Sequence, residues 1–204
     1  MGGGYNTDKN RFLAVLKINV FLFVIELIIG YSSGSLSMIS DGFHAFLHVF
    51  ASLVALFSEY EFLKFSPEKI KSLSAGINIA LFFPLALLIA YKANERLKNP
   101  PVVDLGLLFF FVAFLGLVAN IYTVIILKLD HYEADSKNKN RFYLLIHMIF
   151  DTIGSVIVLI GAVQISMTGD YSIDPIASFI LSGLITLAAI WMSRELLYGH
   201  SHDH

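Results

Sequence analysis

Two short stretches carry the ionisable groups best suited to chemistry. HAFLH sets His44 and His48 four residues apart, and HMIFD does the same with His147 and Asp151. An i, i+4 pair puts both side chains on one face of a helix about one turn apart, so each stretch offers a two-tooth chelate. Two such pairs facing each other would supply four nitrogen and oxygen ligands, the number zinc takes in a tetrahedron at about 2.0–2.2 Å. Imidazole suits zinc and the later first-row metals, whereas an oxygen-rich cage would suit magnesium, calcium or manganese. The chain has no Cys, which excludes disulfides and thiolate ligation and leaves imidazole and carboxylate to hold any transition metal. Asp41, one turn before His44 on the same face, is a candidate for the surrounding shell or for an alternative ligand.

These residues stand in unusually apolar surroundings. The 204 residues are 56% hydrophobic and 15% charged, with a mean hydropathy of +0.72. A soluble domain would carry roughly 25% charged residues, so the composition points to an integral membrane protein, with no nucleic-acid partner and with the lipid bilayer as its surroundings. The net charge of −2 discriminates little. Six apolar segments can be drawn, at about 12–31, 38–57, 72–91, 105–127, 142–166 and 175–197. At about 1.5 Å per residue, each can cross a hydrocarbon core of about 30 Å. They lack the alternation of barrel strands. The expected fold class is therefore all-α, a polytopic six-transmembrane-helix bundle. Inside the segments the ionisable groups concentrate in two places, Asp41, His44 and His48 in the second helix and His147 with Asp151 in the fifth. Burying such groups in lipid costs on the order of 2–3 kcal/mol, which makes a functional use the default reading.

Charge asymmetry orients the bundle. With both termini cytoplasmic, the inner side holds Lys9, Arg11, Lys17, Lys64, Lys69, Lys71, Lys128, Lys137, Lys139, Arg141 and Arg194, and the outer side only Lys92, Arg96 and Lys98. The plasma membrane, or the inner membrane of a prokaryote, is the expected location. Residues 1–11 read as a cytoplasmic tail without a removable signal peptide. The span 12–198 reads as the membrane domain, with a charged, mobile cytoplasmic loop at about 128–141. Residues 199–204 form a tail whose His200, His202 and His204 read as unstructured, as His131 in the loop reads as solvated. Pro100 and Pro101 separate the third and fourth helices, and Pro84 is expected to kink the third. Asp174 before Pro175 is the candidate N-cap of the sixth helix.

Other readings of the site are open at this level. Two His on separate helices could hold a haem, but two His on one helix face share a side of the macrocycle, and Asp151 would be left without a role. Asn78 in the third helix and Asn120 in the fourth are candidates either for orienting ligands or for bonding neighbouring helices.

The arrangement resembles the cation diffusion facilitators, exporters of zinc and related divalent metals. The second helix begins SLSMISDGFH, the fifth reads HMIFDTIGSV and the sixth opens DPIAS. FSPEKIKSLSAGIN looks like a reduced form of the family's Tyr-Gly-x-x-Arg-x-Glu segment, and YKANERLKNPPVVD resembles its outer loop. The likeness covers nearly the whole chain. It implies a secondary active transporter rather than an enzyme, carrying Zn2+ or else Cd2+, Co2+, Fe2+ or Mn2+ against H+, by alternating access. The implied transport site is His44, His48, His147 and Asp151. His48 departs from the family, which has Asp at that place. With three neutral imidazoles, Asp151 alone leaves a divalent cation near +1, and Asp41 is expected to supply the missing charge. The resemblance also implies a homodimer, here through the membrane helices. The usual soluble domain after the sixth helix is not expected in this chain, which reads as a short form. The alternative function is a membrane subunit or metal sensor that binds without transporting.

Overall fold

The computed structural model describes the backbone of residues 3–59, 67–133 and 139–198, and side-chain surroundings within 16–47, 49–50, 76, 80–125 and 149–190. Six helices follow one another, α1 (Gly3–Ser33), α2 (Leu36–Glu59), α3 (Pro67–Lys98), α4 (Leu107–Glu133), α5 (Lys139–Thr168) and α6 (Ile173–Tyr198). Each carries one of the six apolar segments, the fourth segment starting two residues ahead of α4. The helices run beyond those segments into polar sequence: α4 continues to Glu133 and α5 begins at Lys139, so much of the expected 128–141 loop is helical. α3 passes through Pro84 as one helix.

Among the described residues, four helices contain a window long and apolar enough to cross a membrane, at Leu16–Ser33, Leu107–Ile125, Ile149–Thr168 and Ile173–Ile190. Parts of α2 and α3 fall outside the described side chains. α4 shows why such a helix suits lipid. Leu107, Phe111, Phe114, Val118, Tyr122 and Ile125 recur every three or four residues and are exposed, while Phe109, Val112, Ala113 and Thr123 on the other face are buried. In hydrocarbon an apolar outer face needs no cover, and association comes from close packing and interhelical hydrogen bonds instead. α6 provides that packing with a stripe of mostly small buried residues, Ala177, Ser178, Leu181, Ser182, Ile185 and Ala189. Ser182 Oγ donates to the Ala86 carbonyl of α3 at 2.8 Å.

α2 is central, packing against α1, α3, α5 and α6, and α4 packs against α1 and α5. Two apolar clusters frame its length. One joins Ile29, Met38, Phe109, Val112, Val158 and Leu181, and the other joins Leu47, Phe82, Ala86, Ile89 and Ile185.

The ends of the helices have identifiable causes. Gly34 (φ 76°) ends α1 and Gly169 (φ 70°) ends α5, both in the left-handed region that a side chain disfavours. α3 stops at Lys98, ahead of two prolines that cannot continue it. Asp174 does not act as predicted. α6 begins at Ile173, one residue earlier, and the Asp174 carboxylate crosses to the first turn of α2. It accepts from Ser35 Oγ (2.7 Å), Leu36 N (2.7 Å), Ser37 N (3.1 Å) and Ser37 Oγ (2.7 Å). A carboxylate at a helix N-terminus meets both the free amides and the positive end of the dipole, and tertiary packing brings α2's terminus closer to Asp174 than its own. Arg96 of α3 closes this end of the molecule, donating from Nη1 to the Gly34 carbonyl at 2.6 Å and lying 3.8 Å from Asp174 Oδ2.

Candidate metal centre

α2 begins at Leu36, and eight residues of helix carry the chain about 12 Å, towards the middle of a bilayer core, before it reaches His44. There His44 meets α5. Its Nε2 lies 2.5 Å from Asp151 Oδ1, and both residues are buried, at 9% and 4% exposure. The imidazole also stands edge-on to Phe82 of α3, with ring centres 5.7 Å apart. A nitrogen and a carboxylate oxygen from different helices thus meet where water is scarce, the condition under which both donors bind a cation strongly.

Asp41 lies nearly one turn above, part-buried. Its Oδ2 accepts a hydrogen bond from Ser155 Oγ at 3.0 Å, and Ser155 in turn accepts from Asn120 Nδ2 at 2.9 Å. Ser155 is four residues beyond Asp151, so the same face of α5 presents one group to His44 and the next to Asp41. The chain from Asn120 through Ser155 to Asp41 joins α4, α5 and α2. Gly154 lets α5 lie close to α6, since a Cβ there would stand 3.2 Å from Leu181 Cδ2, while Asp41 Oδ1 would be at an ordinary contact distance of 3.7 Å. A cavity between α2, α5 and α6 is lined by Asp41, His44 and Asp151 on its polar side and by Leu181, Leu184 and Ile185 on its apolar side.

Of the sequence-derived candidates, His44, Asp151, Asp41 and Asn120 come together here. The side chains of His48, His147 and Asn78 lie outside the described residues. Their backbone positions are helical, with residue 48 one turn beyond His44 on α2 and residue 147 one turn before Asp151 on α5. Among the described residues, no third His, Asp or Glu joins His44 and Asp151 in a ready-made ligand set. The reading that ionisable groups in the apolar segments fall in two places requires correction. Glu26, in the second half of α1, is buried at 3% exposure, with Gly42 of α2 and Gly116 of α4 against it. Its signal in the sequence was a single Glu in the run FLFVIELIIG, with no partner one turn away to call attention to it.

Comparison with known proteins gives a consistent result. Residues 12–198 match the cation efflux transmembrane domain. The chain is 31% identical over 198 residues to the zinc transporter ZitB of Yersinia pestis, covering 93% of this chain and 62% of that protein. It is 28% identical over 209 residues to the cadmium, cobalt and zinc/H(+)-K(+) antiporter of Bacillus subtilis, covering 97% of this chain and 66% of that protein. It is 31% identical over 207 residues to the metal cation efflux system protein CzcD of Cupriavidus metallidurans, with 94% and 63% covered. The chain therefore spans a little under two thirds of the length of these relatives.

Proposed function

The chain belongs to the cation efflux transmembrane-domain family, an integral membrane family, and on that premise we propose that it exports divalent metal cations, zinc foremost, in exchange for protons. The observation that carries the reading is the buried pairing of His44 on α2 with Asp151 on α5, beside Asp41 at the cavity. Relatives named for zinc, cadmium and cobalt support the metal class, and the name of one of them supports proton exchange.

The proposed ligands are His44, His48, His147 and Asp151. Three imidazoles and one carboxylate suit zinc by donor type. His44 and Asp151 already lie close enough to bond each other, so an arriving cation replaces an interaction between its own ligands. Imidazole binds metal only through an unprotonated nitrogen, so protons and metal compete for the same atoms, and that competition couples their movements. Asp41 supplies the second negative charge a divalent ion requires, and Ser155 and Asn120 hold it in place. α2 and α5 then shift against each other to open the site to one side and then the other. The Lys and Arg asymmetry supports cytoplasmic termini, and a homodimer through membrane helices follows from the family resemblance.

The test is transport by the purified chain in proteoliposomes, with a zinc-sensitive dye inside and an imposed pH gradient. Zinc movement that depends on the gradient is expected, with Asp151→Ala reducing it to the rate of empty vesicles. Binding without transport would instead identify a sensor or subunit, and wild-type rates in Asp151→Ala would remove the site as drawn.

A further inference from the structure

α6 supplies no ligand to the proposed set, yet it forms one wall of the cavity that His44 and Asp151 share. Its register against α5 is fixed by two glycines of α5, Gly154 packing against Leu181 and Gly161 against Ala177, where a Cβ would stand 3.6 Å from Ala177 Cβ. The two helices run antiparallel, so Asp151, three residues before Gly154, comes near the level of Leu184 and Ile185. Leu181, Leu184, Ile185 and Ala188 line the cavity. Their spacings of three, four and seven residues make one face of a helix. The described part of α6 also carries three hydroxyls, and each is committed to a backbone carbonyl. Ser178 Oγ donates to Asp174 (2.8 Å), Ser182 Oγ to Ala86 of α3 (2.8 Å) and Thr186 Oγ1 to Ser182 (2.8 Å). At about 100° per residue these three stand about a third of a turn round from the cavity face. The helix thus has hydroxyl oxygens to offer and turns hydrocarbon to the site instead.

Phe82 of α3, edge-on to His44, belongs to the same apolar cluster as Ile185 and continues this wall behind the imidazole. The cavity has a free volume of about 20 Å3, where a single water needs roughly 10–15 Å3. A bare cation fits such a space and a cation with its water shell does not. Zinc is satisfied by four protein ligands, whereas magnesium and manganese favour six oxygens, and magnesium gives up its waters reluctantly. A wall that neither donates an oxygen nor admits water penalises the second kind of ion and leaves the first unaffected.

We propose that the apolar face of α6, with Leu184 midway along it, is a selectivity element that confines the cation to the donors of α2 and α5 and so rejects divalent ions that keep a water shell. The inference rests on the metal-transport reading. It gives a share of the metal preference to residues that do not bind the metal, beside the share set by the ligands themselves.

The experiment compares the full chain in detergent with its Leu184→Asn and Leu184→Ala variants, the first placing an amide oxygen on the wall and the second opening room for water. Co2+ at saturation is the spectroscopic probe, because its visible bands are intense in a four-coordinate site and weaken as ligands are added. The wild-type chain is expected to give the intense spectrum and both variants a weaker one. In calorimetric competition, Mn2+ is expected to gain about tenfold on Zn2+ in Leu184→Asn. A purely structural role would weaken both metals alike, so an unchanged ratio of the two affinities overturns the proposal. A six-coordinate Co2+ spectrum from the wild-type chain overturns it as well. Absence of Co2+ and Zn2+ binding by the wild-type chain would instead remove the metal-transport reading itself. Should Leu184→Asn fail to fold, the spectrum and the affinity ratio of Leu184→Ala decide the question by the same criteria.

Discussion

Asp174 and Asp151 are both buried carboxylates that join α2 to another helix, and their surroundings differ. Asp174 sits at the end of the bundle and accepts from two hydroxyls and two backbone amides, with Arg96 close by. Asp151 sits deeper and faces the imidazole of His44. Backbone amides at a helix terminus cannot change their protonation or leave, so the Asp174 interaction is a fixed joint. An imidazole can gain or lose a proton or turn to a metal, so the Asp151 interaction can be exchanged for another. The number of charged groups does not separate structure from function in this molecule, whereas the kind of donor does.

The comparison can be broken most directly at Asp174. Asp174→Ala removes the acceptor for four donors in a buried place, and the expected loss of stability is roughly 3–5 kcal/mol, read as a lower unfolding midpoint in detergent. A midpoint unchanged from wild type would mean that α2 begins as well without this joint. Asp41→Asn acts in the opposite sense, keeping the shape and changing the charge. Its zinc affinity should fall by about 10–100-fold with little change in the midpoint. Calorimetry showing wild-type affinity would end the assignment of Asp41 as the missing charge. Ser155→Ala is the gentlest of these changes. It deletes one hydroxyl from the chain linking Asn120 to Asp41, and a loss of about 1 kcal/mol, or roughly fivefold in zinc affinity, is expected. A larger effect than that of Asp41→Asn would show that Ser155 does more than orient the carboxylate.

Much of this was legible in the sequence. Apolar runs of spanning length gave the six helices, and i, i+4 spacing identified the faces of α2 and α5 that meet at His44 and Asp151. What spacing cannot register is a partner on another helix. Asp174 beside Pro175 satisfies the local pattern of a helix cap, and the pattern is silent on which helix it caps. Glu26 was passed over for the same reason, since the positions packed against it are Gly42 on α2 and Gly116 on α4. Asn120 drew notice as a polar residue in an apolar run, but its connection through Ser155 to Asp41 exists only once three helices are side by side.

The Asp174 joint also constrains how the protein can move. It fastens the first turn of α2 to the first turn of α6, and Ser182 fastens α6 to α3 at Ala86. α2, α3 and α6 are thereby linked side chain to backbone, while Asp151 belongs to α5, which packs against α4 and α6. The candidate centre lies between α2 and α5, with an imidazole contributed by one and a carboxylate by the other. On the proposed reading, a cation bound there would act as a rivet between α2 and α5, and its departure would free the two helices to slide.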